Sequence, residues 1–307
     1  MRTYTVACLA GNGIGPEVMA EASRALAAVS RLHGFRVEET HPLFGGEAHS
    51  RLGHALPPAT RAACATADAV LVASPQEPAL AEIEADLAPS WRVDRIVLGE
   101  GRGLIVVSPL EPDATELATE RAFAISRSRR ARLLSINQSG RIAGRRGSRR
   151  EGIELTTLTP GRAFPLFPGE PFRHEVVVTE QPYADAVADI ATFGHESTRF
   201  AATGRLSERG PGIFSPTGSQ STELAGQGVA NPTAMLLATA LVLGEGLGQR
   251  AAARTLERAV NGALAGPART ADLLVGGVGA STREFMEAVL LLLPGSRTDH
   301  EFFQEAA

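Results

Sequence analysis

Apolar and polar residues along this chain alternate with two periods, which predict strands and helices in turn. Short apolar runs typical of buried strands occur at Thr5–Leu9, Ala69–Ala73, Leu104–Val107, Leu133–Ile136 and Glu175–Thr179. Apolar positions three and four residues apart predict helices at Glu17–Leu32, Pro58–Thr66, Asp113–Arg127 and Tyr183–Thr192. This alternation predicts an α/β protein with a mainly parallel sheet.

The pattern changes after Asn231, where it becomes mainly helical. Helices are predicted at Pro232–Leu247, Gln249–Ala265 and Thr282–Leu293. Ser281 and Glu284 have the spacing of a capping box, in which each side chain hydrogen-bonds the other residue's backbone N–H. The third of these helices is therefore expected to begin at Thr282.

An interval rich in arginine, glycine and proline, at about 140–171, interrupts the periodic pattern. Such composition predicts an exposed loop or arm. Its arginines between 141 and 150 leave two interpretations open, an anion-binding segment and a solvated arm or subunit contact.

Composition narrows the classes of protein that fit. The chain has 307 residues, 44% of them hydrophobic, with a net charge of -4, so neither nucleic acid nor a membrane is expected as partner. Its two cysteines do not form a disulfide framework, and no apolar run is long enough to span a bilayer. These features predict a globular cytoplasmic protein. All 30 basic residues are arginine, which excludes Schiff-base chemistry and any mechanism that needs a lysine ammonium.

A glycine-rich stretch, "LAGNGIGPEV", follows the first predicted strand. A dinucleotide fingerprint requires Gly-x-Gly-x-x-Gly, whereas Gly11, Gly13 and Gly15 alternate and precede Pro16. The spacing excludes the fingerprint. By itself the loop predicts only a tight turn that can approach a ligand closely.

The same stretch resembles the N-terminal signature of the isopropylmalate/isocitrate dehydrogenase family, the metal-dependent decarboxylating dehydrogenases. Further blocks of resemblance follow in family order, at Phe44–Pro75, Val176–Thr192, Gly212–Leu243 and Arg269–Val289. The resemblance implies an isopropylmalate-dehydrogenase-like fold of two α/β lobes around a central cleft. Residues 1–91 and 198–307 would form the cofactor-side lobe, and 92–197 the metal- and dimer-side lobe. Gly13 would then belong to a cofactor-binding cleft loop, in which Asn12 replaces the family aspartate.

The resemblance also assigns a metal site. Two family aspartates that bind Mg or Mn match Asp185 and Asp189, which share one face of a helix. An ordinary solvated helix face is the alternative. The family's third aspartate comes from a second subunit, but no aspartate occurs between Asp113 and Asp185 here. A complete site would therefore need other oxygen ligands.

Several family catalytic residues are missing. The block "SINQSG" places Gln138 at the family lysine, and glutamine cannot relay a proton. The family tyrosine has no counterpart, and His174 and His195 are the nearby imidazoles that could act as acid or base. The substrate-clamping arginines are also absent, and the nearest substitutes, expected at the surface, are Arg92, Arg95 and Arg102.

The cofactor side is better preserved. Glu223 matches the acidic residue that, in NAD-dependent members, accepts hydrogen bonds from the adenosine ribose. Asn231 matches the adenine-contacting asparagine, whereas Gly218 replaces a family histidine. The alternatives are an exposed acid for Glu223 and a helix N-cap for Asn231.

Two functions remain open at this stage for what we expect to be a divergent member of the family. One is an NAD-dependent oxidoreductase or decarboxylase acting on an altered 2-hydroxy-acid substrate. The other is a catalytically inactive paralogue that serves as a regulatory, structural or metabolite-binding subunit. Either function predicts a small-molecule carboxylate ligand, and a homodimer or a heteromer with a homologue.

Overall fold

A computed structural model describes residues 1–98, 103–129, 131–140, 142, 152–167, 175–192, 199–218, 221–274 and 278–295. The strands in these residues are β1 Thr3–Leu9, β2 Arg36–Thr40, β3 Ala69–Val72, β4 Trp91–Leu98, β5 Gly103–Pro109, β6 Arg132–Ile136, β7 Glu154–Leu158, β8 Val176–Thr179, β9 Arg199–Leu206 and β10 Gly212–Thr217. The helices are α1 Gly15–Leu32, α2 Gly45–Leu52, α3 Pro58–Thr66, α4 Leu80–Leu87, α5 Thr115–Arg127, α6 Pro160–Ala163, α7 Gln181–Ala191, α8 Thr233–Leu241, α9 Arg250–Leu264 and α10 Thr282–Leu291. Each predicted strand and helix is present. Their ends lie within about two residues of those expected, except that α8 ends at Leu241 and is followed by a π-helical segment at Val242–Gly246.

All ten described strands form one sheet, in the order β2-β1-β3-β10-β9-β4-β5-β8-β6-β7. Pairing is parallel except between β9 and β10, and between β4 and its neighbours β5 and β9. The α/β class and the mainly parallel sheet are therefore confirmed. The three antiparallel pairs lie at the centre of the sheet.

Two local predictions have different outcomes. The capping box at α10 is confirmed, since Ser281 Oγ accepts from the Glu284 backbone N–H and the Glu284 carboxylate accepts from the Ser281 N–H. The prediction of an exposed loop across 140–171 is wrong for the part that the structure describes. There, β7 pairs in parallel with β6, and Phe167 is buried. The polar residues of β7 fit an edge strand, which is only half covered.

Helices cover the two faces of the sheet differently. One face packs against α1, α5, α8, α9 and α10 in a single large apolar cluster. The other face carries two smaller clusters, one with α3 and α4 over β1, β3 and β10, and one with α6 and α7 over β5, β6 and β8. Between these two clusters, strands β4, β9 and β10 present the polar side chains of Arg92, Asp94, Thr203, Arg205 and Ser215. We call this polar strip, which lies between the two helix pairs, the trough.

Two further properties follow from the described residues. Cys8 and Cys64 are both buried and free, as the sequence predicts. In this part of the chain no helix is both long and apolar enough to cross a membrane.

Candidate functional site in the trough between the helix pairs

The floor of the trough is made by alternate residues of three neighbouring strands. In β4 and β9, Arg92 lies opposite Arg205 and Asp94 opposite Thr203, and in β10 Ser215 lies opposite Thr203. Because side chains alternate between the two faces of a sheet, this register gathers the five polar side chains on one face. The trough is thus a polar strip between two apolar cores.

Ion pairs connect the floor to both walls. Arg92 Nη2 lies 2.7 Å from Asp185 Oδ1 on α7, and Arg92 Nε lies 2.9 Å from Asp94 Oδ2. On the other side, Arg205 Nη1 lies 3.0 Å from Glu84 Oε1 on α4. The expectation that Arg92 is a surface residue is wrong, since its side chain is only 14% exposed. The sheet register buries it, which no local signal in the sequence indicates.

Asp94 has the most unusual environment on the floor. Burial raises the pKa of its carboxyl, and the Asp185 charge adds to this, while the Arg92 guanidinium opposes the shift. A buried acid with a raised pKa in a cleft is a common feature of functional sites. Asp94 is not among the site residues that the sequence predicts.

A cavity of about 460 Å³ opens from the trough beside α4. Arg205 and Thr203 from the floor line it together with Ser215, Thr217 and Glu84. The loop after β3 closes one end, where Gln76 Nε2 donates a hydrogen bond to the Gly218 carbonyl. The volume suits a small metabolite.

The glycine loop lies at the carboxyl end of β1, next to the loop that follows β3. Gly11 and Gly13 have φ angles of 64° and 61°, which an L side chain rarely adopts. A Cβ on Gly11 would lie 2.4 Å from Ser74 Cβ, and Ser74 Oγ donates hydrogen bonds to the Ala10 and Asn12 carbonyls. The loop therefore needs glycine for conformation and for close packing of these two loops.

The residues matched to the cofactor site have different surroundings. Asn231 Nδ2 donates to Thr270 Oγ1 at 2.8 Å and to the Asp272 carboxylate, while its Oδ1 accepts from the Thr233 N–H at 2.9 Å. It therefore ties the start of α8 to the segment before α10. Glu223 is exposed, and its carboxylate makes no hydrogen bond or ion pair with the residues that the structure describes.

Glu17, the first residue of the helix predicted at Glu17–Leu32, organises the same region. Its carboxylate accepts from the backbone N–H groups of Gly228 and Ala230 and from Thr282 Oγ1. Two of these bonds fix the loop between Glu223 and Asn231, and the third ties the first turn of α1 to the start of α10. The only signal in the sequence is an acid directly after the glycine loop.

Gln138 lies at the carboxyl end of β6, and its side chain is exposed. Its backbone N–H donates to Glu180 Oε2 at 3.0 Å, and the Ser139 N–H donates to Glu180 Oε1 at 3.1 Å. Glu180, the residue before α7, thus links this corner to the helix that carries Asp185. Asp189 lies one turn further along α7 and is exposed. His174, His195, Arg102 and most of the 141–150 segment lie outside the described residues.

Asp185, one of the two predicted metal ligands, has a charged partner in the trough. Asp185 is already paired with Arg92, so a cation on the same carboxylate would also face the guanidinium charge. Among the described residues, a group of three donors close enough to hold a metal occurs elsewhere and includes neither Asp185 nor Asp189. The Mg or Mn site at Asp185 and Asp189 stays a prediction, and in this structure Arg92 already engages the first of these carboxylates.

The opposite face of β4 carries a second set of charges. Arg95 is 3% exposed, which contradicts the expected surface position. It lies 3.5 Å from Glu257, which Arg129 also contacts at 2.7 Å, and Arg129 in turn pairs with Glu175 at 2.6 Å. These four residues form the enclosed network. Burial alone would raise the pKa of Glu257, but the charges of Arg95 and Arg129 lower it.

Comparisons with known proteins agree with this architecture. A family model described as isocitrate/isopropylmalate dehydrogenase matches residues 5–91 and 166–289. A 3-isopropylmalate dehydrogenase from Synechococcus sp. (strain CC9605) is 30% identical, with 90% of this chain and 95% of the relative covered. One from Prochlorococcus marinus (strain MIT 9312) is 27% identical at the same coverage.

Solved structures show the same fold. The apo form of a beta-decarboxylating dehydrogenase from Thermococcus kodakarensis superposes with a TM-score of 0.76 at 21% identity, covering 99% of both chains. An isocitrate dehydrogenase from Methylococcus capsulatus gives a TM-score of 0.73 at 20% identity, covering 95% of this chain and 99% of that one.

Proposed function

Because this chain belongs to the isocitrate/isopropylmalate dehydrogenase family, we propose that it binds NAD and a small carboxylate but does not perform metal-dependent oxidative decarboxylation. The observation that carries this proposal is the Arg92–Asp185 ion pair at 2.7 Å. It engages one of the two carboxylates expected to bind the metal, and Gln138 stands where a lysine proton carrier is expected. The chain would then be a metabolite-binding or regulatory member.

The carboxylate would bind in the cavity of the trough. Arg205 is the cation of its lining, and the hydroxyls of Thr203, Ser215 and Thr217 add polar groups beside it. Glu84 already neutralises Arg205, so an incoming carboxylate would exchange with Glu84 for the guanidinium. The two lobes, 1–91 with 198–307 and 92–197, would then meet across the trough.

NAD would bind on the adjacent loops. The unpaired Glu223 carboxylate suits the two hydroxyls of the adenosine ribose, and it would repel the 2′-phosphate of NADP. Asn231, fixed by Thr270 and Asp272, would set the loop position, while Gly13 would allow close backbone approach. When bound, NAD supplies a hydride acceptor.

Calorimetric titration and an absorbance assay test this proposal together. NAD should bind saturably, and Glu223→Ala should weaken it, while Glu116→Ala on the distant helix α5 should not. With NAD, Mn²⁺ and 3-isopropylmalate or isocitrate, no NADH should form. Lack of NAD binding would overturn the cofactor assignment, and Mn²⁺-dependent NADH formation lost in Asp185→Asn would overturn the assignment as non-catalytic.

A second candidate function is an altered oxidoreductase. It is favoured by Asp94, whose buried carboxyl has a raised pKa and could exchange a proton with a substrate in the trough. His174 and His195 remain predicted acid or base residues for this case. A screen of 2-hydroxy acids tests it, since Asp94→Asn should abolish any metal-independent NAD reduction without weakening NAD binding.

Self-association remains a proposal that follows from the family. We expect a homodimer or a heteromer with a homologue, in which a second subunit completes the trough. Light scattering of the purified chain, alone and with a co-expressed homologue, measures the mass directly. A monomer under both conditions would contradict it.

A further inference from the structure

Three different metal-binding side chains converge beside the second strand of the sheet, on the face opposite the trough. Cys8 Sγ lies 3.6 Å from Glu39 Oε2, and His41 Nε2 lies 3.4 Å from the same oxygen. The three donor atoms lie within 4.8 Å of one another. We propose that Cys8, Glu39 and His41 bind a divalent zinc-class metal ion.

The sheet register explains the convergence. In the parallel pair of β1 and β2, Val6 lies opposite Glu39 and Ala7 opposite Thr40. The next position places Cys8 beside His41, and alternation puts Cys8 and His41 on the same face as Glu39. Helix α1 covers this face, where Ser23 Oγ donates to Glu39 Oε2 at 2.5 Å. The arrangement therefore rests on two strands and a helix.

Two of the three spacings between donor atoms agree with tetrahedral coordination. For a metal–sulfur distance of about 2.3 Å and metal–oxygen or metal–nitrogen distances of about 2.1 Å, neighbouring ligands lie about 3.6 Å apart for S and O, and about 3.4 Å apart for N and O. The observed distances are 3.6 Å and 3.4 Å. Protein donors would fill three positions, and solvent could reach the fourth because the His41 side chain is 54% exposed.

Charge also favours a cation here. The more buried acids Glu21, Asp94 and Glu257 each pair with an arginine. The Glu39 side chain is only 16% exposed, yet no described arginine lies within ion-pair distance of it, and the described basic side chain that contacts it is the imidazole of His41. A bound cation would supply the missing charge.

The donor set selects the class of metal. A thiolate with one imidazole and one carboxylate suits zinc or cobalt rather than magnesium or calcium, which prefer oxygen ligands. Without a metal, the Cys8 thiol donates a hydrogen bond to Glu39 Oε2. Metal binding would form the metal–sulfur bond and release that proton to solvent.

The test uses the full chain, purified without a histidine tag and treated with a chelator. We expect one equivalent of Zn²⁺ to bind by calorimetry, and Co²⁺ to give a thiolate charge-transfer band. Cys8→Ser should remove the band, and both Cys8→Ser and His41→Ala should weaken Zn²⁺ binding at least about tenfold. Cys64→Ser, at the other buried cysteine, and His49→Ala, at an exposed histidine, should change neither.

His41 is exposed, so His41→Ala provides a test even where Cys8→Ser does not fold. Absence of stoichiometric Zn²⁺ binding would overturn the proposal. Binding that survives both Cys8→Ser and His41→Ala, or a Co²⁺ band lost in Cys64→Ser, would also overturn it.

Discussion

Strand β4 places arginines on both of its faces, and the two faces use them differently. On one face Arg95 joins the enclosed network with Glu257, Arg129 and Glu175, under α5 and α9. On the other, Arg92 lies in the trough, between two helix pairs that leave the central strands uncovered. Residues three apart in one strand therefore have separate roles because alternation sends them to opposite layers.

The difference between these faces lies in solvent access. The enclosed network has no room for a ligand, since the space beside Glu257 and Arg129 is about 30 Å³, close to the volume of one water. The trough opens into a cavity of about 460 Å³. We infer that charges on the first face hold the helices to the sheet, whereas those on the second remain available for exchange with a ligand.

The largest expected effect comes from breaking the enclosed network. Glu257→Gln leaves Arg95 buried without a counter-charge and leaves Arg129 with Glu175 alone, so we expect the free energy of unfolding to fall by about 3–5 kcal/mol. The same change in the trough, Glu84→Gln, breaks a partly exposed pair and should cost about 1 kcal/mol or less. Denaturant unfolding measures both. Equal costs would contradict the distinction between the faces.

Ligand affinity, unlike stability, should depend more on the charges of the trough than on those of the enclosed network. We expect Arg205→Gln to weaken binding of 3-isopropylmalate or isocitrate about tenfold, because a charge-assisted hydrogen bond contributes about 1.5–3 kcal/mol. Calorimetry measures this change. Arg61→Gln, an exposed arginine paired with Glu82 and Asp86, is the matched control and should leave the affinity unchanged. An unchanged affinity in Arg205→Gln would remove the trough as the binding site.

The pH dependence of stability should report on Asp94. Since burial raises the pKa of Asp94 in the folded state, the folded protein binds more protons than the unfolded chain, and stability falls as pH rises. Asp94→Asn removes this dependence. The free energy of unfolding of the variant should therefore rise relative to that of the wild type as pH rises from about 4 through the raised folded pKa. Unfolding free energies across this range test it. A constant difference would mean that Asp94 does not titrate in this way.

Salt gives the smallest expected effect. Screening weakens exposed ion pairs more than buried ones, so added NaCl should shrink the already small cost of Glu84→Gln. The cost of Glu257→Gln should change little, because the Glu257 side chain is only 10% exposed and its partner Arg95 only 4%. Denaturation in low and high salt compares the two variants. A loss of the Glu257→Gln cost in high salt would show that the network is not enclosed.

The sequence predicted local structure well where local patterns decide it. The capping box at Ser281, the helix start at Pro58 and the apolar strand runs are visible in consecutive residues. It missed β4 and β9 because their side chains mix apolar and charged residues, and it missed β10 because only Ile213 and Phe214 form an apolar run there. Gly103, at the start of β5, has a packing reason that only the structure shows, since a Cβ there would lie 2.3 Å from Arg95 Nη1.

By itself, the sequence determined the α/β class, the mainly parallel sheet, the family and the absence of a lysine at the position of Gln138. Periodicity and block order contain this information because they depend on neighbours along the chain. Only the tertiary structure decided that Arg92 pairs with Asp185, that Arg95 is buried, and that Cys8, Glu39 and His41 converge. These contacts depend on strand register and helix packing, which bring together residues as far apart as Arg95 and Glu257.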